Sequence, residues 1–217
     1  MKKAIIFIDA NNWYHNVKTG FKPGDIDIKK VANLIAKEKK VNIDEIRWYV
    51  SMPSISDNEV VYNRQRSFLG YLEKQGIKII TRKLQRLSKK EIIKKRQELL
   101  DSWDLCEVCK PIVETSFLDI KDQNQKEKGI DVWIAIDMVK EAIQNNLDCC
   151  ILISGDADFV PALELVKSLK KEVLSAFVPR GYSNELRQKF PYLIFKREDL
   201  SKCLKKYNKE TNKKEKC

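Results

Sequence analysis

The sequence predicts an α/β fold built on a mostly parallel sheet, and two features carry that expectation. Short apolar runs bounded by polar residues alternate with stretches whose apolar residues recur at helical spacing. Two of the apolar runs also stop at carboxylates where a helical pattern begins. Residues 3–8 read as the first strand, followed by a helix carrying His15. The pattern Ile28, Val31, Leu34 and Ile35 gives a helix over 27–36, and Ile46 to Val50 a second strand. After the loop opened by Met52 and Pro53, residues 58–74 form a long helix closed by Gly76, a residue suited to the left-handed turn after a helix. Strands follow at 77–80, 149–153, 172–178 and 193–195, with helices over 130–145 and 159–170. No internal repeat is visible.

At 217 residues the chain can bury one sizeable core, and 43% apolar content is that of a globular protein. Residues 1–204 are expected to form one domain, interrupted over 82–125 by a basic insertion and followed over 205–217 by a Lys-rich tail. Between Arg82 and Glu98 eight basic residues face two acidic ones, and Leu84, Leu87, Ile92 and Ile93 allow a helical stripe. The net charge of +11 suits a polyanionic partner, with nucleic acid first among them and a solvated Lys-rich surface as the alternative. Lys89, Lys90, Lys94 and Lys95 are the candidate phosphate contacts of the insertion. No apolar stretch approaches the roughly 20 residues that span a bilayer. The opening Met1-Lys2-Lys3 leads into a strand cut short by Asp9, not a signal peptide, so a cytoplasmic protein is expected. Six cysteines make no disulfide framework, because Cys149 and Cys150 are adjacent in a strand and Cys217 is terminal. Cys106 and Cys109 form a lone C-x-x-C, half a zinc site; reduced structural thiols are the expected state. A homodimer sharing zinc stays open.

Ligands of open α/β sheets bind beyond the carboxyl ends of the strands. The first strand delivers Asp9, Asn11 and Asn12 there, and the strand 149–153 delivers Asp156 and Asp158 through Ser154-Gly155. Gly129 precedes a helical pattern, which places Asp131 in a first turn, able to point toward the strand ends. Asp137, six residues on, is rotated away and would only support the site. Carboxylates gathered on one rim repel unless raised pKa values, basic partners or a divalent cation relieve them. Hard oxygen donors without His or Cys suit Mg²⁺ or Mn²⁺. Beside a basic surface, that combination points to phosphoryl chemistry by metal-activated water.

Three motifs, Phe7-Ile8-Asp9-Ala10-Asn11-Asn12, Lys128-Gly129-Ile130-Asp131 with Asp137-Met138-Val139, and Ser154-Gly155-Asp156-Ala157-Asp158-Phe159, resemble in order and setting those of the NYN domain family. The chain looks most like its LabA/DUF88 branch, within the PIN-like nuclease superfamily, over about residues 3–200 and least well over 82–125. The resemblance implies a three-layer α/β/α PIN-like fold and a metal-dependent ribonuclease acting on RNA. It implies that Asp9, Asp131, Asp156 and Asp158 bind Mg²⁺ or Mn²⁺ or activate water. Asn12 matches the family's Asn, Ser154 would position the acidic loop or a phosphate, and Ala10 departs from the family's usual Gly.

Each residue also has a structural reading. Asp156 can cap a helix, and Asp9 can solvate a loop. Trp13 and Tyr14 can stack on bases or pack in the core, and Arg180 can hold a phosphate or a surface carboxylate. The lone His15 is expected at the surface or in packing. Two other functions compete with a ribonuclease. One is a catalytically inactive RNA-binding or regulatory module, against which the full Asp set argues. The other is a haloacid-dehalogenase-type phosphatase, which needs a second Asp where Asn11 stands.

Overall fold

The computed structural model describes residues 1–53, 55, 58–83, 89–118, 129–179 and 181–205. The chain divides into two compact units, Met1–Arg82 with Gly129–Cys217, and Lys83–Lys128. In the first unit, the elements are β1 (Lys2–Asp9), α1 (Ala10–Val17), α2 (Ile28–Lys39), β2 (Val41–Met52), α3 (Glu59–Lys74) and β3 (Lys78–Lys83, whose last residue falls in the second unit). The second unit holds α4 (Lys89–Asp101) and α5 (Cys109–Leu118). The first unit resumes with α6 (Ile130–Ile143), β4 (Cys149–Ile153), α7 (Val160–Ser168), β5 (Glu172–Phe177), α8 (Asn184–Lys189), β6 (Tyr192–Ile194) and α9 (Arg197–Lys202).

The six strands form one parallel sheet in the order β3-β2-β1-β4-β5-β6. Strand alternation sorts β1 onto two cores. Ala4, Ile6 and Ile8 face a layer containing Trp13 and Val17 of α1, Ile28, Val31, Ala32 and Ile35 of α2, Leu69 and Leu72 of α3 and Leu200 of α9. Ile5 and Phe7 face the opposite layer, with Ile130, Ile134 and Met138 of α6, Val160, Leu163 and Val166 of α7 and Leu186 of α8. The result is the three-layer α/β/α arrangement expected from the alternation of elements.

The helix ends follow from the local sequence. Asp27 caps α2 by accepting from Lys30 N, and Asn58 caps α3 by accepting from Val61 N, each satisfying an orphan N–H. Gly76 carries the left-handed φ of +76° after α3 that its position in the sequence suggested. β2 departs from expectation by starting at Val41 and not at Ile46. Lys2, Lys3 and Ala4 of β1 pair with Val41, Asn42 and Ile43, so backbone pairing extends the strand through polar residues that hid it. Trp13 is core: its ring meets Phe195 edge-on at 6.0 Å, which removes it as a base-stacking surface. Tyr14 and His15 are exposed on α1. Lys205, expected at the start of a frayed tail, is half-buried with its ammonium 3.7 Å from the centre of the Tyr71 ring.

A buried cation ties β2 to α6. Arg47 donates to both oxygens of Glu45, at 2.9 and 3.0 Å, and to Glu141 at 2.8 Å; Asp137 lies 3.7 Å away. Burial by itself would raise the carboxyl pKa values of Glu141 and Glu45, but hydrogen bonds outweigh it and hold both below the ordinary range. For Glu141 these come from Asn146 and Arg47, and for Glu45 from Arg47 and Lys78. A carboxyl with a lowered folded pKa contributes stability that is complete above its unfolded value and disappears as pH falls through the folded value. Removing the cation leaves these carboxylates uncompensated. Arg47→Met should therefore lose about 3 kcal/mol at pH 7. It should also lose less stability than wild type on acidification, because carboxyls that burial raises and no cation lowers no longer favour the folded state as anions, in urea melts run from pH 7 to about pH 3. Coincident stability–pH curves for the two proteins would remove the ion network from the account of this fold.

Candidate active site

The sheet order reverses between β1 and β4. β1 leads into α1 on one face, and β4 leads into α7 on the other, so the two loops diverge and leave a crevice at the carboxyl edge. Register places the ends side by side: Ile8 pairs with Ile153, and the next residues are Asp9 and Ser154. Both are buried, Asp9 to 5% exposure and Ser154 to 1%. A buried carboxylate must be matched by donors. Asp9 Oδ1 accepts from the backbone N–H of Asn11 at 3.1 Å and of Asn12 at 3.0 Å, capping α1. Its Oδ2 accepts from Ser154 Oγ at 3.1 Å, and that hydroxyl in turn accepts from Asp156 N at 3.2 Å.

The acidic loop is fixed by three further contacts. Asn12 Oδ1 accepts from Gly155 N at 3.0 Å and from Asn16 Nδ2 at 2.9 Å. Asp156 Oδ1 accepts from Asp158 N at 3.0 Å, capping the 3-10 turn Ala157–Phe159 that opens α7. Gly155 lies against the loop after β5, accepting from Ser183 N at 2.8 Å. A Cβ on Gly155 would sit 1.5 Å from the Gly181 carbonyl oxygen, a backbone atom, so only glycine fits. Gly181 is itself backed by the Asn16 side chain. Asn16 was not singled out from sequence; its only signal was its position one helical turn after Asn12.

Asp156 is half-buried, and Asp158 is exposed. Asp131 is exposed in the first turn of α6, where Gly129 holds the left-handed φ of +83° that begins the helix. α6 also contacts the 3-10 turn carrying Asp158. Asp137 Oδ2 accepts at 2.7 Å from the OH of Tyr49, the β2 residue that pairs with Asp9, and lies beside Arg47. Burial first, and this bond second, raise the Tyr49 phenol pKa and keep it a donor. Among the described residues, no three Asp, Glu, His or Cys side chains stand close enough together to hold an ion. The donor chemistry at the rim is hard oxygen throughout. An apolar hollow of 140 Å³ lined by Val17, Phe21, Val178, Phe195 and Leu200 contains none of the four aspartates.

Of the candidate RNA contacts, Lys94 is exposed on α4 and 3.9 Å from Glu98. Lys89, Lys90 and Lys95 lie on the same helix, with side chains outside the described ones, and Arg180 lies outside the described residues.

The family model for the NYN domain matches residues 3–201, nearly the whole of this sheet and its helices. The chain belongs to the NYN domain family. NYN domains are in general nucleases that act on RNA. No curated protein is significantly similar to this chain. The D-isomer specific 2-hydroxyacid dehydrogenase of Lactobacillus delbrueckii ssp. bulgaricus, in its NAD complexed form, is 12% identical, with a TM-score of 0.19. That likeness covers 93% of this NYN chain and 60% of the dehydrogenase, and it is too slight to carry a functional argument. No described helix of the NYN chain is long and apolar enough to cross a membrane.

The close approach at Gly155 makes a signed prediction. Gly155→Ala must displace the backbone at Gly181 and should destabilise by about 1–3 kcal/mol or more. Gly70→Ala, in the interior of α3 with nothing within 4 Å of the added methyl, should stabilise by about 0.5–1 kcal/mol. Chemical denaturation of the two variants checks this, and an Ala tolerated at 155 without cost would contradict the packing of the rim.

Proposed function

We propose that this NYN domain is a PIN-like, LabA/DUF88-type ribonuclease that cleaves single-stranded RNA endonucleolytically, with help from Mg²⁺ or Mn²⁺. The observation that supports it most is the Asp9–Ser154–Asp156 chain at the β1/β4 crevice: one hydroxyl donates to the buried Asp9 carboxylate and accepts from the backbone N–H that begins the acidic loop, where an α/β sheet binds ligands. Asp9, Asp131, Asp156 and Asp158 are the residues that would hold the cation. When bound, it would lower the pKa of water and neutralise charge on the phosphate. The residues of the chain supply the frame. Asp9 is held rigidly by three donors, so its orientation is fixed before substrate arrives. Asn12 and Ser154 fix the acidic loop against the end of β1. Asp131 and Asp158, both exposed, are the carboxylates a ligand would meet from solvent. The basic residues of α4, Lys89, Lys90, Lys94 and Lys95, together with Arg180, would attract the RNA backbone.

End-labelled single-stranded RNA and DNA incubated with Mg²⁺, Mn²⁺ or excess EDTA test this reading. The expected result is internal RNA cleavage that EDTA abolishes. Asp9→Asn should lose about 100-fold or more, ~2.7 kcal/mol of barrier. The fold should survive that change, because Asn caps helices as well as Asp. RNA retained on filters but left uncut by the wild-type protein would instead favour a binding module that has lost catalysis. Cleavage undiminished in EDTA would end the metal mechanism.

A further inference from the structure

The cysteines among the described residues fall into two classes. Cys149, Cys150 and Cys203 are buried, and burial raises all three thiol pKa values, that of Cys149 to about 11. Cys106 and Cys109 are free and exposed. They lie within the second compact unit, at the entry to α5. The Cys106 carbonyl accepts from Cys109 N at 3.1 Å and from Lys110 N at 2.9 Å, so Cys106 occupies the position of a helix-capping residue. A capping side chain there faces the free N–H groups of the first turn and the positive end of the helix dipole. The Cys106 thiol is held below the ordinary thiol range by the Cys109 N–H, then by the Cys109 thiol and the Val108 N–H. One sulfur is thus favoured as thiolate while the second lies within its reach and both are open to solvent.

We propose that Cys106 and Cys109 form a reversible dithiol–disulfide site whose reaction partner is a low-molecular-weight disulfide. The Cys106 thiolate attacks one sulfur of the disulfide, forming a mixed disulfide and releasing the first thiolate. Cys109, as thiolate after giving its proton to solvent, then attacks Cys106 Sγ and expels the second. The protein pair loses two electrons and two protons, and the small disulfide becomes two thiols. Cys106 is the attacking residue because it holds the cap, and Cys109 the resolving one because its sulfur is the neighbour. This site is independent of the ribonuclease reading, since it includes none of the residues at the sheet rim.

The full chain, fully reduced, is treated with excess oxidised glutathione, trapped with an alkylating reagent and examined by peptide mass spectrometry. The expected product is a Cys106–Cys109 disulfide with Cys149, Cys150 and Cys203 still alkylatable after unfolding. Cys109→Ser should accumulate glutathione on Cys106, for want of a resolving thiol. Cys106→Ser, which keeps a capping side chain, should take up glutathione on Cys109 at least about tenfold more slowly. Both thiols recovered intact from the wild type, or equal rates in the two variants, would overturn the proposal.

Discussion

Parallel pairing of β1 with β4 is the constraint from which the candidate site follows. The two strands leave the sheet toward opposite faces, so their last ladder hydrogen bonds end at a gap that no backbone can close. Side chains close it instead. Asp9 takes the N–H groups of Asn11 and Asn12, Asn12 takes that of Gly155, and Ser154 takes that of Asp156. The Ser154 hydroxyl then joins the two strands by donating to Asp9. The Asp9 and Asp156 carboxylates are therefore caps that also stand at the rim, so a structural role and a place at the crevice do not exclude each other. Glycine at 155 is part of the same closure, because the loop after β5 comes down onto its backbone.

Position along α6 is set from the other end. Arg47 and Tyr49 project from β2 toward this helix and engage Glu141 and Asp137. A guanidinium taken out of water must be matched by carboxylates in good geometry, so this contact tolerates little sliding. With the middle and far turns of α6 held, its first turn and Asp131 are left at the carboxyl edge of the sheet, exposed. Asp137, a candidate support for the site, takes part in this anchoring through Tyr49.

Burial also divides the thiol chemistry. In β4 the side chains of Cys149 and Cys150 point to the two opposite cores, where they act as small apolar residues. The pair at the entry to α5 has no burial to silence it, and the end of a helix favours the Cys106 thiolate. The same residue type is inert in one unit and reactive in the other because solvent and hydrogen-bond donors differ.

Much of the fold was legible because it depends on local patterns. The β-branched run before Ser154, the period of Ile28, Val31 and Ile35, and the caps at Asp27 and Asn58 each act within a few residues, where sequence spacing is the relevant distance. The same locality placed Asp9, Asp131, Asp156 and Asp158 at element ends. The sequence could not show that β2 begins at Val41, because polar Asn42, Asp44 and Glu45 are held in the strand by β1 and not by their own preference. Nor could it show that Trp13 turns inward onto Phe195, that Asn16 backs Gly181, or that Arg47 gathers three carboxylates from two elements. These contacts join residues distant in the chain, and their energy comes from burial and hydrogen bonding that exist only once the layers have closed. Sequence by itself determined which residues reach the rim, through strand and helix ends. Tertiary structure alone decided which of them touch, because strand order fixes neighbours that chain order does not.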